Sequence, residues 1–368
     1  MVINVPKEPI RPNIGNIKPY VSGKPIEEAE RELRISGVIK LASNENPLGP
    51  SPKALEAVNK YSKDICLYPD QNCYELNRLL AEKLDMTPEN IAIGNGSDEL
   101  MLLIALAYIS AGDEVLISLN TFSTYEMVSR LMEASITRIN LKNYAYDLEQ
   151  MAKVSSPKTK LIFVCNPNNP TGTMNTKKEM DYLLSKIPQN TILVIDEAYG
   201  EYVESPDYPD SIDYVKKNKN VIVLRTFSKI YGLAGLRIGY GIARPDIIKY
   251  LNLVRLPFSV NRLGQIAASA SLSDTNHIEK SKRNNSDGKA YLYNELEKLG
   301  LSFVRTEANF IFINLNNDAD TAFMELMRRG VIVRPLTSFG MPGSIRVTIG
   351  TPEQNKKFVS ALTEVIKK

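Results

Sequence analysis

The sequence predicts an α/β protein with a large domain on a mainly parallel sheet, followed by a smaller α+β domain. Three observations predict it. Short, unbroken apolar runs recur from about residue 75 onward, and helical stretches separate most of them. After about residue 262 a long polar helical stretch is followed by three further apolar runs. Apolar strands without alternation belong to sheets covered on both faces, which are mostly parallel.

Taken in order, Pro6, Pro9, Pro12, Pro19 and Pro25 break regular structure near the start. The segment reads as an extended arm leading into one charged helix over 26–35. Residues 41–50, LASNENPLGP, form a loop by their turn residues, and a helix starts near Ser51 with Pro52 in its first turn. The runs Ile91-Ala92-Ile93, Glu114-Val115-Leu116-Ile117, Leu161-Ile162-Phe163-Val164, Ile192-Leu193-Val194-Ile195 and Val221-Ile222-Val223-Leu224 are the strands of the large sheet. Beyond them, 273–298 is helical, and strands are expected at 309–313, 330–334 and 344–349. The expected division is an arm and helix over 1–43 packing with the small domain, a large domain over 44–262, and a small domain over 263–368.

Composition narrows the function. Lys and Arg number 45 against 42 Asp and Glu, a net charge of +3, which gives no reason to expect nucleic acid or an anionic membrane as partner. The three cysteines, Cys66, Cys73 and Cys165, form neither a disulfide framework nor a zinc pattern and suit a reducing compartment. No metal site is expected. The longest apolar candidate, 100–109, is too short to span a membrane, and the first residues lack the apolar segment of a secretory signal. A soluble cytoplasmic enzyme is expected.

In parallel sheets ligands sit beyond the carboxyl ends of the strands, so the residues just after each apolar run are where chemistry is sought. The stretch 224–239, LRTFSKIYGLAGLRIG, follows one such run. Lys229 offers an amine that can form an imine with an aldehyde. Ser228 and Arg237 beside it can hold a phosphate. An aldehyde that carries a phosphate is pyridoxal 5'-phosphate, and the other strand ends supply what that cofactor needs. Asp196 closes a buried run, where a carboxylate is costly unless partnered. A lone acid there reads as a helix cap; with Lys229 on a neighbouring strand end, it reads as the partner of the pyridine nitrogen, with Tyr199 in reach of the ring's phenolic oxygen. Asn166-Pro167-Asn168-Asn169-Pro170-Thr171-Gly172 is a turn that can aim the Asn169 amide at that same oxygen. Gly94-Asn95-Gly96-Ser97-Asp98-Glu99 opens a helix running from Leu100, where Ser97 and Asp98 serve as ordinary caps, as a phosphate cradle, or as both. The competing dinucleotide fingerprint lacks its third glycine, and the strand 114–118 ends in Leu119-Asn120 without the acid that holds a ribose. Phe122 is core or a ring stacked on the cofactor; spacing leaves both open. Arg334 and Arg346 interrupt or end apolar strands of the small domain and can grip a dianion by paired bonds. The single histidine, His277, at a polar helix start, is expected at the surface.

The set GNGSDE, NPNNPTG, DEAY and TFSKIYGLAGLRIG resembles the fold type I pyridoxal-phosphate aminotransferases. Within them, KPYVSGKP (18–25), KLASNENPLGP (40–50), Tyr68-Pro69-Asp70 and the ending IRVTIGTPEQN resemble the histidinol-phosphate aminotransferase family, over essentially the whole chain. The resemblance implies a seven-stranded, mainly parallel sheet. It implies Lys229 as the imine-forming lysine and proton shuttle, Asp196 on the ring nitrogen, and Tyr199 and Asn169 on the phenolic oxygen. Phe122 stacks on the ring, and Ser97, Asp98, Ser228 and Arg237 hold the phosphate. Tyr68 reaches the neighbouring subunit's cofactor in a homodimer; Arg334 and Arg346 bind substrate anions, with Asn169 beside them, and Tyr20 helps close the site. The implied reaction moves the amino group of L-histidinol phosphate to 2-oxoglutarate, giving imidazole acetol phosphate and glutamate, in histidine biosynthesis. Where this family often has proline, tyrosine and asparagine, the chain has Asn120, Phe122 and Ser259, which bears on substrate preference. Alternatives on the same scaffold are an aromatic amino-acid aminotransferase and a threonine-phosphate decarboxylase. More distant ones are an NAD-dependent dehydrogenase and a non-catalytic cofactor-binding protein.

Overall fold

A computed structural model describes residues 10–11, 13–17, 23–315 and 318–367. Among these the strands are β1 Ile39–Lys40, β2 Ile91–Gly94, β3 Glu114–Ser118, β4 Ser135–Ile139, β5 Leu141–Lys142, β6 Ala145–Tyr146, β7 Thr159–Cys165 and β8 Ile192–Asp196. They continue with β9 Val221–Thr226, β10 Gly239–Ile242, β11 Ser302–Val304, β12 Phe310–Asn314, β13 Val331–Ile332, β14 Arg334–Pro335 and β15 Ser344–Thr348. The main sheet has seven strands in the order β2-β10-β9-β8-β7-β3-β4, and all neighbours are parallel except at β10. The α/β class and the mainly parallel seven-stranded sheet agree with expectation.

Ile162, Phe163, Val164, Leu193, Val194, Ile195, Ile222 and Val223 are fully buried, because helices cover both faces of the central strands. Each such side chain contributes about 1.5–3 kcal/mol relative to its exposed state, so the unbroken apolar runs are what hold the layers on the sheet. The five apolar runs are all strands. β4 and β10 had no such signal: β4 (SITRI) is a half-exposed edge, and β10 (GYGI) is glycine-rich. Strand β10 matters most, since it runs antiparallel and its amino end, Gly239, lies opposite both Gly94 and Thr226. It therefore delivers the residues before it to the edge where the parallel strands end.

Helix boundaries follow local chemistry. The helix Pro52–Tyr61 starts as expected, with Ser51 as its cap accepting from the Ala54 amide. The helix expected from Leu100 begins three residues earlier, as Ser97–Tyr108 with Gly96 as its cap. Ser97 and Asp98 thus occupy its first turn, and the reading of either as the cap is corrected. The long polar helix is Thr275–Lys298, capped by Asp274. His277 is not at the surface: it is buried, because Ser51 of the neighbouring helix donates to Asp274 Oδ2 (2.6 Å) and covers this helix start.

The second layer is a four-stranded antiparallel sheet, β11-β12-β15-β14. In β15 (SIRVT), Ile345 and Val347 join a core with Ile311, Ile313, Leu292, Phe358 and Leu362, and Arg346 and Thr348 point to the other face by the strand's period of two. The N-terminal segment is laced onto this layer. Strand β1 pairs in parallel with β13, and Ala29, Val38 and Ala42 cluster with Met327 and Ile332. The helix Arg262–Leu272 lies past the expected boundary at 262, yet its Ala267, Ala268 and Leu272 belong to the core of the large layer.

Gly239 fixes how β10 meets the helix Ser97–Tyr108: a β-carbon there would lie 2.5 Å from the Ser97 nitrogen and 2.8 Å from the Gly96 carbonyl carbon. Those neighbours are backbone and cannot turn aside. Gly239→Ala is expected to lower unfolding stability by roughly 1–3 kcal/mol, measured by urea denaturation against wild type.

Candidate active site

The carboxyl ends of β2, β3, β7, β8 and β9 and the amino end of β10 meet at one edge of the main sheet, beneath β15 of the second layer. A cavity of about 140 Å³ lies there. Its lining includes Ser97, Asp98, Phe122, Asn169, Asp196, Tyr199, Ser228, Lys229, Arg237 and Arg346, ten of the residues singled out in the sequence. Arg334 is buried but does not line the cavity; it sits opposite Arg346 across the β14–β15 pair, its guanidinium 5.8 Å from the Phe339 ring. Tyr68 is 79 % exposed and stacks on Phe258 (4.7 Å), away from this chain's cavity. Tyr20 lies outside the described residues.

At one end of the cavity Arg237 organises a polar cradle. Its backbone is left-handed (φ 53°), and its guanidinium donates to Asp98 Oδ2 (3.1 Å) and Ser228 Oγ (3.3 Å). Both side chains of the Arg237–Asp98 pair are nearly half exposed, so the pair adds little to stability, about 1 kcal/mol or less. Gly96 has φ 83°, and a β-carbon on it would lie 2.6 Å from Arg237 Nη2. The positive φ favours glycine, and any larger residue would press on the guanidinium. With the free amides of the first turn of Ser97–Tyr108 and the positive end of its dipole, the donor set suits a phosphate.

In the centre, Asp196 closes β8 beside Cys165 of β7 and Leu224 of β9. It is 4 % exposed, and burial pushes its carboxyl up to about 6. Two bonds oppose that rise: Tyr125 Oη donates to Oδ2 (2.7 Å), and the Ala198 amide donates to Oδ1 (3.0 Å). Lys229 follows the next strand, donates to the Ser43 carbonyl (3.2 Å), and is lowered to about 8 by burial and then by the nearby Arg346. About a tenth of such an amine is neutral at pH 7, which makes it both a nucleophile and a proton acceptor.

The upper wall comes from the second layer. Arg346 donates to Asn169 Oδ1 and to the Ala42 carbonyl (2.6 Å), over the Phe310 ring at 5.2 Å. Tyr199 meets Phe310 edge-on (5.1 Å) and accepts a bond from Asn44 Nδ2 (2.9 Å). Asn44 and Tyr125 were missed in the sequence. Asn44 sits in the left-handed region (φ 57°), which asparagine tolerates better than most residues, and Thr348 Oγ1 accepts its amide. Tyr125 carried no signal of its own: it sits in the first turn of the helix Thr124–Leu131, and only the structure shows its ring meeting Phe122 at 5.8 Å. Cys165 and Thr226 also line the cavity.

A buried lysine and carboxylate on adjacent strand ends, beside an anion cradle on this fold, define an amino-group-transfer enzyme of the two-layer α/β type. The family described as aminotransferase class I and II matches residues 36–362, and the chain belongs to it. The chain is 51 % identical to the histidinol-phosphate aminotransferase of Moorella thermoacetica, over 99 % of this chain and 94 % of that one. It is 46 % identical to that of Caldicellulosiruptor saccharolyticus, over 96 % and 99 %. Among solved structures, the histidinol-phosphate aminotransferase of Sinorhizobium meliloti in complex with pyridoxal-5'-phosphate superposes with a TM-score of 0.89 at 28 % identity, covering 98 % of each chain. Aspartate aminotransferase of Thermotoga maritima shares the fold at a TM-score of 0.84 and 19 % identity, over 98 % of this chain and 100 % of that one.

The raised carboxyl has a stability consequence. Between the unfolded value of 3.8 and about 6, the native protein holds a proton on Asp196 that the unfolded chain does not, so this group's contribution falls as pH rises through that window. At pH 7 its buried charge is a net cost. Asp196→Asn without cofactor is expected to be more stable than wild type at pH 7 by about 1–3 kcal/mol, and the gap closes toward pH 4. Denaturant titration at the two pH values checks it.

Proposed function

We propose that this chain catalyses the pyridoxal-phosphate-dependent transfer of an amino group from L-histidinol phosphate to 2-oxoglutarate, giving imidazole acetol phosphate and glutamate. The observation that carries the reading is the convergence, in one cavity, of the Lys229 amine, the Asp196 carboxylate and the Arg237–Ser228 cradle. The residues fit the cofactor: a cradle that a β-carbon at Gly96 would fill, and a buried acid and amine on neighbouring strand ends. The 51 % identity to a histidinol-phosphate aminotransferase supports the substrate.

When bound, pyridoxal phosphate supplies a reactive aldehyde and an electron-withdrawing ring. In this reading Ser97, Asp98, Ser228 and Arg237 hold its phosphate, and Asp196 keeps a negative charge facing the ring nitrogen. Tyr199 and Asn169 bond the phenolic oxygen, and Phe122 covers one face. Lys229, partly neutral near pH 8, would take a proton from the substrate's α-carbon and hand it to the former aldehyde carbon of the cofactor, which keeps the nitrogen; a positioned base of this kind contributes roughly 10²–10⁴-fold. Arg346, with Arg334 opposite it, grips the substrate anion, a phosphate in one half-reaction and carboxylates in the other. Asn169 Oδ1 and the Ala42 carbonyl accept from the Arg346 guanidinium and hold it over the cavity. Tyr20 as a closing group belongs to the same proposal.

The reading includes a homodimer in which Tyr68 reaches the partner's cofactor. Ile65, Leu67, Tyr68 and Tyr74 are more than half exposed, as are Leu253 and Leu256. The two segments are joined by the Arg255 bond to the Gln71 carbonyl (3.0 Å) and the Tyr68–Phe258 stack. Together they form an apolar face of the kind that marks an interface. A cytoplasmic location goes with it, supported by three free cysteines; among the described residues no helix is long and apolar enough to cross a membrane.

Lys229→Ala is expected to fold, to carry no covalently attached cofactor after borohydride reduction where wild type carries one by mass spectrometry, and to lose transamination by at least 10²-fold. Retained turnover would refute the role of this lysine. A coupled assay comparing L-histidinol phosphate, phenylalanine and threonine phosphate tests the substrate. Histidinol phosphate is expected to have the highest kcat/KM, and preference for either of the others would overturn the assignment. Sedimentation of the protein is expected to give twice the monomer mass, and substitution of Leu67 and Leu256 by Asp to reduce it to one.

A further inference from the structure

Tyr125 has no part in the reading above, yet it bonds the acid at the centre of the site more closely than the Ala198 amide does. The residue is fully buried, and its hydroxyl donates to Asp196 Oδ2 at 2.7 Å. Its ring is clamped on both sides, stacked on Phe163 of β7 (5.0 Å, 11° between planes) and meeting Phe122 edge-on (5.8 Å, 79°). Its backbone sits in the first turn of the helix Thr124–Leu131. A ring so held cannot swing its hydroxyl away, so the bond is a fixed part of the site. The Ala198 amide fixes the other oxygen at 3.0 Å. Each carboxylate oxygen thus accepts one protein donor and keeps a further lone pair for a ligand.

We infer that Tyr125 is the positioning residue that keeps Asp196 ionised and aimed, and that the tyrosine hydroxyl thereby sets the pH above which the site can hold a protonated ring nitrogen. The inference rests on the proposed pairing of Asp196 with that nitrogen. The physical argument is one of competing effects. Burial drives Asp196 toward its neutral form, and the Tyr125 bond is the largest of the effects that oppose it. The phenol itself is driven upward by burial and by the acid, so it stays protonated and remains a donor. The other groups facing Asp196 divide. Lys229 favours its charge; Asp98 disfavours it; Cys165, Tyr146 and Tyr199 are held protonated by burial and bring no charge at neutral pH. With the hydroxyl removed, the Ala198 amide and a partly charged lysine are what remain against burial.

The test compares wild type, Tyr125→Phe and Asp196→Asn. After cofactor removal, infrared difference spectra taken across pH 5–8 (roughly the window around the carboxyl's raised value) follow the band of a protonated carboxyl, assigned to Asp196 by its loss in Asp196→Asn. In Tyr125→Phe the midpoint of that band is expected to move upward by about one pH unit. Pyridoxal phosphate affinity, titrated by fluorescence, is expected to fall about tenfold near pH 5 and about twofold at pH 7, and to recover toward the wild-type value as pH rises further. A purely structural loss would not recover with pH. Incorporation of 3-fluorotyrosine, a stronger donor of the same shape, is expected to move the midpoint downward, so the test does not depend on the phenylalanine variant folding. An unmoved midpoint in both proteins, with Asp196→Asn still losing affinity, overturns the inference and leaves the reading of Asp196 standing. Wild-type affinity in Asp196→Asn overturns that reading and the inference with it.

Discussion

A carboxylate and an amine are both buried at the ends of neighbouring strands, and burial pushes each toward its neutral form. This constraint orders the rest of the site. The acid at the end of β8 needs donors, and it takes them from Tyr125 and Ala198. The amine after β9 needs acceptors, and the Ser43 carbonyl supplies one. Ala198 follows Asp196 by two residues, but Tyr125 and Ser43 are distant in sequence. They were brought in by the packing of a helix and a loop against the sheet's edge, so the fold is what makes these two groups tolerable.

The second layer does more than cover the first. The loop 41–46 crosses between them and binds to both. Leu41 bonds β13 and the end of β15, Asn44 reaches Tyr199 and Thr348, and Asn46 reaches the Ile230 carbonyl and Ser281. One short polar segment therefore sets the height of β15 above the main sheet. With it comes the position of Arg346 relative to Asn169. The Asn44 bond also occupies a lone pair of the Tyr199 oxygen, which leaves the phenol's own proton free to be donated into the cavity.

The cost of this arrangement falls on stability. An ionised carboxylate, a depressed lysine and an arginine sharing one small cavity with buried tyrosines would be replaced by apolar side chains if stability alone were at stake. The surrounding structure absorbs that cost through the apolar strands on which the charged ends are mounted. Phe163, Val164, Val194 and Ile195 are fully buried immediately behind the site. The same strands that anchor the core carry the reactive groups one to five residues beyond it.

The sequence by itself determined the alternation of buried strands and helices. It also determined the polar residues beyond each strand and so the chemistry gathered at one edge: Lys229, Asp196, Asn169 and the glycine-flanked start at Ser97 were all legible, because each lies within five residues of the end of an unbroken apolar run. What only the tertiary structure decided are features without a local signal. The glycine-rich β10 runs backward and so brings Arg237 to the phosphate cradle from its amino end. Tyr125 reads as ordinary core until its hydroxyl is seen against Asp196, and Asn44 as ordinary loop until the second layer closes on it. His277 is buried although its own segment is polar, because a distant helix start covers it. Apolar periodicity reports which face of an element is covered; it does not report which element covers it, and a polar side chain's partner is set by that second fact.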